Sequence, residues 1–426
     1  MPEAGEHILV VSHTFPPYRG IGGRRWVKFS KALARKGCTV HVICSRGGND
    51  LLGSLWTTDR DTPGIVVHEL PQRYPTVLFK RPLTTLLEKL GYRFWLRWLR
   101  LRVKGNYFDK TVLWEGRFLD HAGKLIDRHG IRNVIVSGAP FRLMAHAVKL
   151  KERRPGIHLV VDFRDPWTWG NIYGHGSLGA EREAHEKTLE AGVVHAADRI
   201  ISPAPAIIDH LRATYGGDAK RYVRIPHAID PDELGGPGAP RNDGRFHMIY
   251  AGSLYGAAEA EMYFDALIAG FQRALELRPE ALDRCRFDLY ITGHGTEVYR
   301  EKVRKAGLEG VIHFHRPRPA RELFPTIASA DLVPIFIPEA NKDFLGTKFT
   351  ELFHLRRPVL HVGATGLVSR TITENRLGAS VTVEALPDLL AELITGEKRL
   401  TVDPGYDLSD HLLDAITDRL VREVLV

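Results

Sequence analysis

The chain has 426 residues, of which 44% are hydrophobic and 26% charged, and its formal net charge is +8. This length allows two or three domains with their own cores, and the excess of Lys and Arg favours anionic partners such as nucleotides and phospholipid surfaces. The sequence contains no helix-turn-helix, zinc-finger or aromatic RNA-binding motif, which argues against nucleic acid as a partner.

Cysteine content and hydropathy argue against several further classes of protein. The three cysteines are too few and too scattered for a disulfide framework or a zinc site. No apolar run is long enough to span a bilayer, and the sequence does not open with a charged leader and a long apolar core. We therefore expect a cytoplasmic protein.

The first elements predict a βαβ unit. HILVVSHT (7–14) has the pattern of a buried strand, residues 26–36 have helical periodicity, and residues 39–45 form the next apolar strand. Two strands joined through a helix favour a parallel sheet.

The loop FPPYRGIGGRR lies between the first strand and the first helix. Gly22 and Gly23 allow the backbone to approach a ligand closely at the helix start, where free N–H groups and the helix dipole favour a phosphate. Arg24 and Arg25 add positive charge for that phosphate, or they are an ordinary basic start of a surface helix. The glycine spacing is not G-x-G-x-x-G, which disfavours a dinucleotide site.

Residues 77–104, VLFKRPLTTLLEKLGYRFWLRWLRLRVK, mix aromatic and aliphatic residues with eight Lys and Arg. This composition suits an interfacial helix on an anionic membrane. The alternative is a helix hairpin that packs on the domain, with its long basic side chains lying along the surface.

Two further predicted strands, 133–138 and 158–165, lead into polar residues, and the second ends in DFRDPW. Polar groups at the carboxyl ends of parallel strands belong at the ligand-binding crevice of an α/β sheet. Arg164 and Asp165 are therefore candidates for binding the acceptor or taking its proton. The alternative is an ion pair between them that only holds the loop.

The second half repeats the βα pattern after a segment rich in Pro and Gly, which we interpret as a linker over residues 227–246. The turn AGSLYG, with Ser253, and the turn TGHG, with Gly293, each follow a predicted strand. They are expected at one edge of a second parallel sheet. Residues 408–426 form an amphipathic helix that needs a surface to cover.

The segment PEANKDFLGTKFTELFHLRRPVLHVG (338–363) lies between two predicted buried strands. Its loop contains Asp343 and Gly346 and opens a helix that contains Lys348 and Glu351. The start of that helix suits a phosphate, and Glu351, about one turn later, can accept hydrogen bonds from ligand hydroxyls. The alternative is a solvated Glu on an ordinary helix.

The spacing D-x7-E of Asp343 and Glu351, followed by R-R-P-V-L, resembles the E-x7-E signature of retaining glycosyltransferases of family 4, bacterial type. FPPYRGIGGRR, DFRDPW and RIPHAID resemble further motifs of that family in the same order. The resemblance implies the α/β GT-B fold, in which two Rossmann-like doubly wound parallel-sheet domains face a cleft. The implied parts are an acceptor-side domain at 1–226, the linker at 227–246, a nucleotide-sugar domain at 247–405, and a helix at 406–426 that crosses back to the first domain.

The resemblance also implies roles for single residues. In the family the first acid, here Asp343, lies near the donor sugar, and the second, here Glu351, binds the ribose hydroxyls. Relatives carry an Arg where Ser253 stands and often a His where Ser137 stands, so Lys348 or the first arginines are expected to supply charge to the diphosphate. The residues expected to bind the donor are Gly22, Gly23, Arg24, Ser253, Gly293, Gly346, Lys348 and Glu351, and those expected at the reaction centre are Arg164, Asp165 and Asp343.

The implied reaction is the transfer of a sugar from a nucleotide-diphosphate sugar to an acceptor hydroxyl, with retention and without a metal or other cofactor. The acceptor is expected to be a lipid-linked glycan, a lipopolysaccharide precursor or a small metabolite, and residues 77–104 are expected to make peripheral contact with the anionic inner face of the plasma membrane. Two alternatives stay open: a nucleotide-sugar 2-epimerase, and a non-catalytic relative that binds sugars or scaffolds an assembly.

Overall fold

The computed structural model describes residues 5–47, 52–54, 56–80, 82–169, 178–235, 243–254, 257–292, 296–343 and 346–426. The strands are β1 His7–Ser12, β2 Thr39–Arg46, β3 Ile65–Pro71, β4 Asn133–Gly138, β5 His158–Phe163, β6 Arg199–Ser202, β7 Tyr222–Arg224, β8 Phe246–Gly252, β9 Cys285–Ile291, β10 Ile312–His315, β11 Val333–Ile337, β12 Val359–Gly363 and β13 Gly378–Val381. The helices are α1 Arg24–Arg35, α2 Thr57–Arg60, α3 Leu86–Arg102, α4 Glu115–His129, α5 Arg142–Arg153, α6 Ala180–Ala196, α7 Pro205–Tyr215, α8 Pro231–Leu234, α9 Ala257–Leu277, α10 Glu297–Lys305, α11 Ala320–Ala328, α12 Thr347–His354, α13 Leu367–Glu374, α14 Leu386–Thr395 and α15 Leu413–Val424.

The chain forms two compact units, the first comprising residues 1–228 and 413–426 and the second residues 229–412. The short helix α8 lies just after this division, inside the segment interpreted as a linker. None of the helices in the described ranges is both long and apolar enough to cross a bilayer.

The first unit contains one parallel sheet with the strand order β3-β2-β1-β4-β5-β6-β7. β1 lies between β2 and β4, and Val10 pairs with Val42 on one side and with Ile135 on the other. The chain therefore winds outward in one direction from β1 and then in the other direction from β4, as in the Rossmann fold. The carboxyl ends of β1 and β4 form the switch point where such sheets bind ligands.

The last helix, α15, packs in the core of the first unit. Leu413, Ile416, Leu420 and Val424 are buried there with residues of β1 and α1. Their spacing places them on one face of the helix, which explains the amphipathic pattern of the tail. The regular α-helix begins at Leu413, after a single 3-10 turn, and is therefore shorter than the pattern predicts.

The second unit repeats the same arrangement. Its ladders β10-β9-β8 and β11-β12-β13 are parallel and are joined by a bridge between Met248 and Leu332. The winding again reverses, here between β8 and β11. The structure confirms the predicted α/β class with two Rossmann-like parallel-sheet domains.

Several strands are shorter than the sequence predicts. β1 ends at Ser12 and β5 at Phe163, each two residues before the end of its predicted strand. Residues 222–229 have the apolar pattern of a strand, but β7 ends at Arg224. Pro226 has no N–H to donate to a ladder, so the sheet cannot continue through it.

Candidate functional site

The glycine loop of the first unit sits tightly over the carboxyl end of β1. A Cβ atom on Gly23 would lie 2.5 Å from the carbonyl oxygen of Thr14, and one on Gly22 would lie 2.9 Å from Nη1 of Arg164. Position 23 therefore requires glycine because backbone atoms occupy the space of a side chain, whereas at position 22 the neighbour is the end of the Arg164 side chain, which would have to shift. The loop ends in a single 3-10 turn, Ile21–Gly23, that leads directly into α1.

Asp162, on β5, connects this loop to the sheet. Its Oδ2 atom accepts hydrogen bonds from Arg25 Nε at 3.1 Å, from Trp26 Nε1 at 2.7 Å and from Ser137 Oγ at 3.0 Å. The side chain is fully buried, and its Oδ1 atom has no hydrogen-bond partner among the described residues. One carboxylate therefore fixes the first turn of α1 against β4 and β5.

The structure places Arg24 and Arg25 inside the unit rather than on the exposed surface of the loop. Arg25 uses its remaining N–H groups on the carbonyl oxygens of Ile225, at 2.8 Å, and Pro226, at 2.9 Å. Arg24 is buried with its guanidinium 5.4 Å from the centre of the Trp56 ring. Both arginines contribute positive charge to this edge from below the surface.

Arg164 lies beside the glycine loop, as its place at the end of β5 predicts. It donates to the carbonyl oxygens of Gly22 and, at 3.2 Å, of Ala139, and its Nε lies 3.1 Å from Asp165 Oδ2. The ion pair considered as the alternative is therefore formed, and the same arginine also holds the glycine loop. The structure thus brings Gly22, Arg164 and Asp165 together at the switch point.

Positive charge is concentrated at this edge. The Nδ1 atom of His227 is buried and has no hydrogen-bond partner among the described residues. Burial, followed by the charges of Arg25, Arg164, Arg24 and Lys28, lowers the pKa of His227 well below its ordinary value. The cations near His227 favour an anion such as a phosphate at this edge, although Asp162 and Asp165 offset part of their charge.

A cavity of about 760 Å³ lies in the first unit near the carboxyl ends of β1, β2 and β3. Its wall combines basic side chains with apolar ones and includes the turn that leads into α3. The lining residues are His13, Thr14, Tyr18, Arg19, Ser45, Gly47, Gln72, Thr76, Val77, Phe79, Lys80, Glu88 and Lys110. A cavity of this size is large enough for a small ligand or part of a larger one.

His13 is the central polar group of this cavity. Burial, together with the charge of Lys110, lowers the pKa of His13 to about 4. The side-chain amide of Gln72 lies 3.1 Å from its Nε2 atom. His13 is therefore neutral at pH 7 and adds hydrogen-bonding capacity to the wall without adding charge.

In the second unit, Glu351 and Asp343 differ in environment. Glu351 lies in α12 and is 2% exposed. The Asp343 side chain is half exposed, and its Oδ1 atom accepts a hydrogen bond from the N–H of Leu367, at 3.2 Å, the first residue of α13. Arg370 lies 3.8 Å from the same oxygen. The first acid of the D-x7-E pair is therefore bound to the start of the next helix.

Three other predicted donor residues lie around the switch point of the second unit. Gly346 immediately precedes α12. Ser253 follows β8, and its Oγ lies 2.7 Å from Oγ1 of Thr292, which follows β9. The backbone of Lys348 is part of α12, whereas its side chain, and all of Gly293, lie outside the described residues.

Sequence reasoning missed the cavity and the role of Asp162. The polar run Ser12–His13–Thr14 at the end of a buried strand is the readable signal for the cavity. No local pattern indicates that Asp162 pairs with a residue far away in sequence.

Residues 22–233 match the model of Glycosyltransferase Family 4, and no curated protein is significantly similar to this sequence. A solved glycosyltransferase from Rickettsia africae ESF-5 is 14% identical, with a TM-score of 0.58 over 99% of this chain and 94% of that chain. Anabaena HepE, solved in complex with UDP, is 12% identical, with a TM-score of 0.57 over 98% and 95%. A putative UDP-N-acetylglucosamine 2-epimerase from Listeria monocytogenes is 12% identical, with a TM-score of 0.56 over 98% and 95%.

At these identities the structural similarity establishes the fold, and the family match adds the class of enzyme. Together they confirm the fold class and the transferase class expected from the sequence. The chain is a glycosyltransferase of the family 4 type, with the GT-B fold of two Rossmann-like domains.

Proposed function

We propose that this protein transfers a sugar, with retention, from a nucleotide-diphosphate sugar to a hydroxyl of a lipid-linked acceptor in the synthesis of a bacterial cell-surface glycan, lipopolysaccharide or glycolipid. The observation that carries the proposal is the cavity of about 760 Å³ whose wall is shared with the segment leading into the basic, aromatic helix α3. The cavity offers space for a charged acceptor group, and the adjoining helix α3 offers a surface suited to a membrane.

The donor site of the proposal is the start of α12. Its free N–H groups suit a diphosphate, and Glu351 accepts hydrogen bonds from the ribose hydroxyls. Asp343, Gly346, Lys348, Ser253 and Gly293 complete this site in the proposal. The UDP bound to the structurally similar HepE makes a UDP-sugar the first donor to test.

Retention follows if the leaving phosphate itself takes the proton of the incoming hydroxyl on the same face of the sugar. The protein then contributes charge stabilisation of that phosphate. Within the first unit, the cations near Gly22 and Arg164 favour an anionic group at the switch point of that unit. The proposal involves no metal or other cofactor. A product of inverted anomeric configuration would exclude transfer with retention.

Charge and shape of the cavity support an anionic, partly apolar acceptor. Arg19 and Lys110 supply positive charge, Lys80 is ion-paired with Glu88 in the same wall, and Val77 and Phe79 supply apolar surface. A phosphate group attached to a lipid matches both the positive charge and the apolar wall of the cavity, whereas a neutral sugar matches each of them less well.

Helix α3 supports the membrane part of the proposal. A capping box fixes its start, with Glu88 N–H donating to Thr85 Oγ1 at 3.2 Å and Thr85 N–H donating to Glu88 Oε2 at 3.1 Å. Leu99 is the one residue of this helix that is fully buried, among helix positions that the structure describes in full. The helix is therefore well formed, with most of its surface away from the core.

Large apolar side chains of α3 face solvent. Leu87 is 82% exposed, Leu101 77% and Phe94 61%. They alternate along the helix with Lys89, Arg93 and other basic residues. Exposed apolar side chains beside basic ones are the pattern of a helix that lies in the interface of an anionic bilayer.

The donor site is tested by thermal shift of the purified protein with UDP-, GDP-, ADP-, CMP- and dTDP-sugars. A ligand that binds the folded state raises the melting temperature by mass action. We expect a shift with one nucleotide class that is lost in Glu351→Gln and kept in Glu297→Gln, a matched change at an exposed residue of α10. Equal shifts in both variants would place the nucleotide elsewhere.

The membrane surface is tested by flotation with vesicles of phosphatidylglycerol and phosphatidylcholine. We expect salt-sensitive binding that weakens in Phe94→Glu and persists in Val298→Glu, where an apolar side chain of the second unit is also exposed. Undiminished flotation of Phe94→Glu would count against α3 as the contact.

A 2-epimerase is the second candidate, because an epimerase is among the proteins with a similar fold. An epimerase changes the donor sugar without any acceptor and returns it still attached to the nucleotide. Donor that changes configuration at C2 in the absence of acceptor would favour this candidate.

A further inference from the structure

Five histidines lie together at the face of the first sheet that α4 covers. His7, His41 and His68 are on the neighbouring strands β1, β2 and β3, and His121 and His129 are on α4. Ring centres of neighbouring members lie 4.5 to 5.4 Å apart, from His41–His129 to His41–His68. His7 is the first residue of β1 and His129 the last of α4, so the centre of this cluster lies toward the amino ends of the strands, away from the switch point.

Three members bring ring nitrogens close enough to share one ion. The candidate ligand atoms of His7, His41 and His129 all lie within 4.8 Å of one another. His7 Nδ1 and His41 Nε2 are 2.9 Å apart. A tetrahedral zinc ion with Zn–N distances of about 2.0–2.1 Å separates its ligand nitrogens by about 3.3–3.4 Å, so this pair needs to open by only about 0.4–0.5 Å.

His41 has the second partner that a metal-binding histidine usually has. Its Nδ1 atom lies 3.1 Å from Nε2 of His68. With the proton on Nδ1 donated to His68, the lone pair of His41 Nε2 faces His7 and the ion. The hydrogen bond fixes both the tautomer and the direction of the ring.

Helix α4 ends at the cluster, so its dipole acts on a cation bound there. His129 ends α4, where the carbonyl end of the helix dipole favours positive charge, whereas the neighbouring Arg128 opposes it.

We propose that His7, His41 and His129 form a binding site for a divalent transition metal of the zinc class, with His68 as the positioning partner of His41. Such an ion joins the last turn of α4 to the first strands of the sheet. His7 and His129 are partly exposed, so a water molecule can fill the fourth position. The site is separate from the transfer reaction and does not depend on the donor or acceptor assigned above.

The test is calorimetric titration of chelator-treated, untagged protein with ZnCl₂, with MgCl₂ as the comparison ion. Imidazole ligands select zinc over magnesium, so we expect one Zn²⁺ per chain and no Mg²⁺ at this site. His129→Gln is expected to remove this binding. His68→Leu is expected to weaken it by roughly 10- to 100-fold, the usual cost of losing an outer-shell partner. His195→Gln, an exposed histidine on α6 of the same unit, is the matched control and should bind as the unaltered chain does.

Cobalt provides a second readout that distinguishes this site from adventitious binding at other histidines. Co²⁺ in a low-coordinate nitrogen site has visible absorption bands, and these should appear in the unaltered chain and in His195→Gln but not in His129→Gln. Far-UV circular dichroism of metal-free His129→Gln checks that the variant folds. Stoichiometric zinc binding of unaltered affinity in folded His129→Gln, or no zinc binding by the unaltered chain, would overturn the proposal.

Discussion

The buried pair of Arg25 and Asp162 gives a quantitative test of how the glycine loop is held. Asp162→Asn keeps the shape of the side chain and one acceptor oxygen but leaves the buried Arg25 guanidinium without its counter-charge, while the carbonyl oxygens of Ile225 and Pro226 still accept its hydrogen bonds. Breaking a buried ion pair from one side costs about 3–5 kcal/mol. With a urea m-value near 3 kcal/mol/M for a unit of this size, the unfolding midpoint should fall by about 1 to 1.7 M.

Tryptophan fluorescence follows this loss in the first unit alone. All seven tryptophans of the chain lie in that unit, so the signal is not mixed with unfolding of the second. Asp120→Asn is the control, because Asp120 is exposed and pairs with Lys124 one helical turn away, a contact of roughly 0.3–0.5 kcal/mol. Equal midpoints for the two variants would refute the view that Asp162 holds α1 against the sheet.

Two further predictions concern the same unit. Gly23→Ala puts a Cβ 2.5 Å from the Thr14 carbonyl oxygen and should lower the free energy of unfolding by about 1–3 kcal/mol. Gly116→Ala, in the first turn of α4 with nothing within 4 Å of the added Cβ, should raise it by up to about 1 kcal/mol. Urea midpoints that move in the same direction for both variants would contradict this packing argument. Burial and the charge of Lys110 lower the pKa of His13 from 6.5 to about 4. Between these pH values the unfolded chain binds more protons than the folded chain does. The stability that neutral His13 contributes is therefore present above about pH 6.5 and falls as the pH drops toward 4. His13→Gln should therefore flatten the decline of the urea midpoint between about pH 7 and pH 5, and an unchanged slope would show that His13 does not contribute.

Local sequence locates the strands, although β1, β5 and β7 end before the predicted residues. β4 begins and ends at the predicted residues, because a strand buried on both faces of a parallel sheet is a continuous apolar run. The same pattern places Arg164 and Asp165 at the ligand-binding edge before any coordinates are known. The capping box of Thr85 and Glu88 at the start of α3 is also a local pattern, but it was not predicted.

Contacts between distant strands do not follow from local sequence. Arg25 and Asp162 are 137 residues apart, and the basic run after the glycines gives no sign that its arginines turn inward. Asp343 similarly matches a family spacing, yet only the fold shows that its carboxylate binds the start of α13. The histidine cluster combines one residue from each of three strands with two residues of α4, and no local pattern in these segments predicts it.

The central claim is sugar transfer from a nucleotide-diphosphate donor, and its most direct test is to follow both products of one reaction. The purified protein is incubated with the nucleotide sugar selected by thermal shift, with and without a lipid-linked phosphate acceptor, while released nucleoside diphosphate and the anomeric configuration of the glycosylated lipid are measured by NMR. We expect acceptor-dependent release of the nucleoside diphosphate and a product that keeps the anomeric configuration of the donor. Donor that is epimerised without release, or that stays unchanged with every acceptor although it binds, would contradict it.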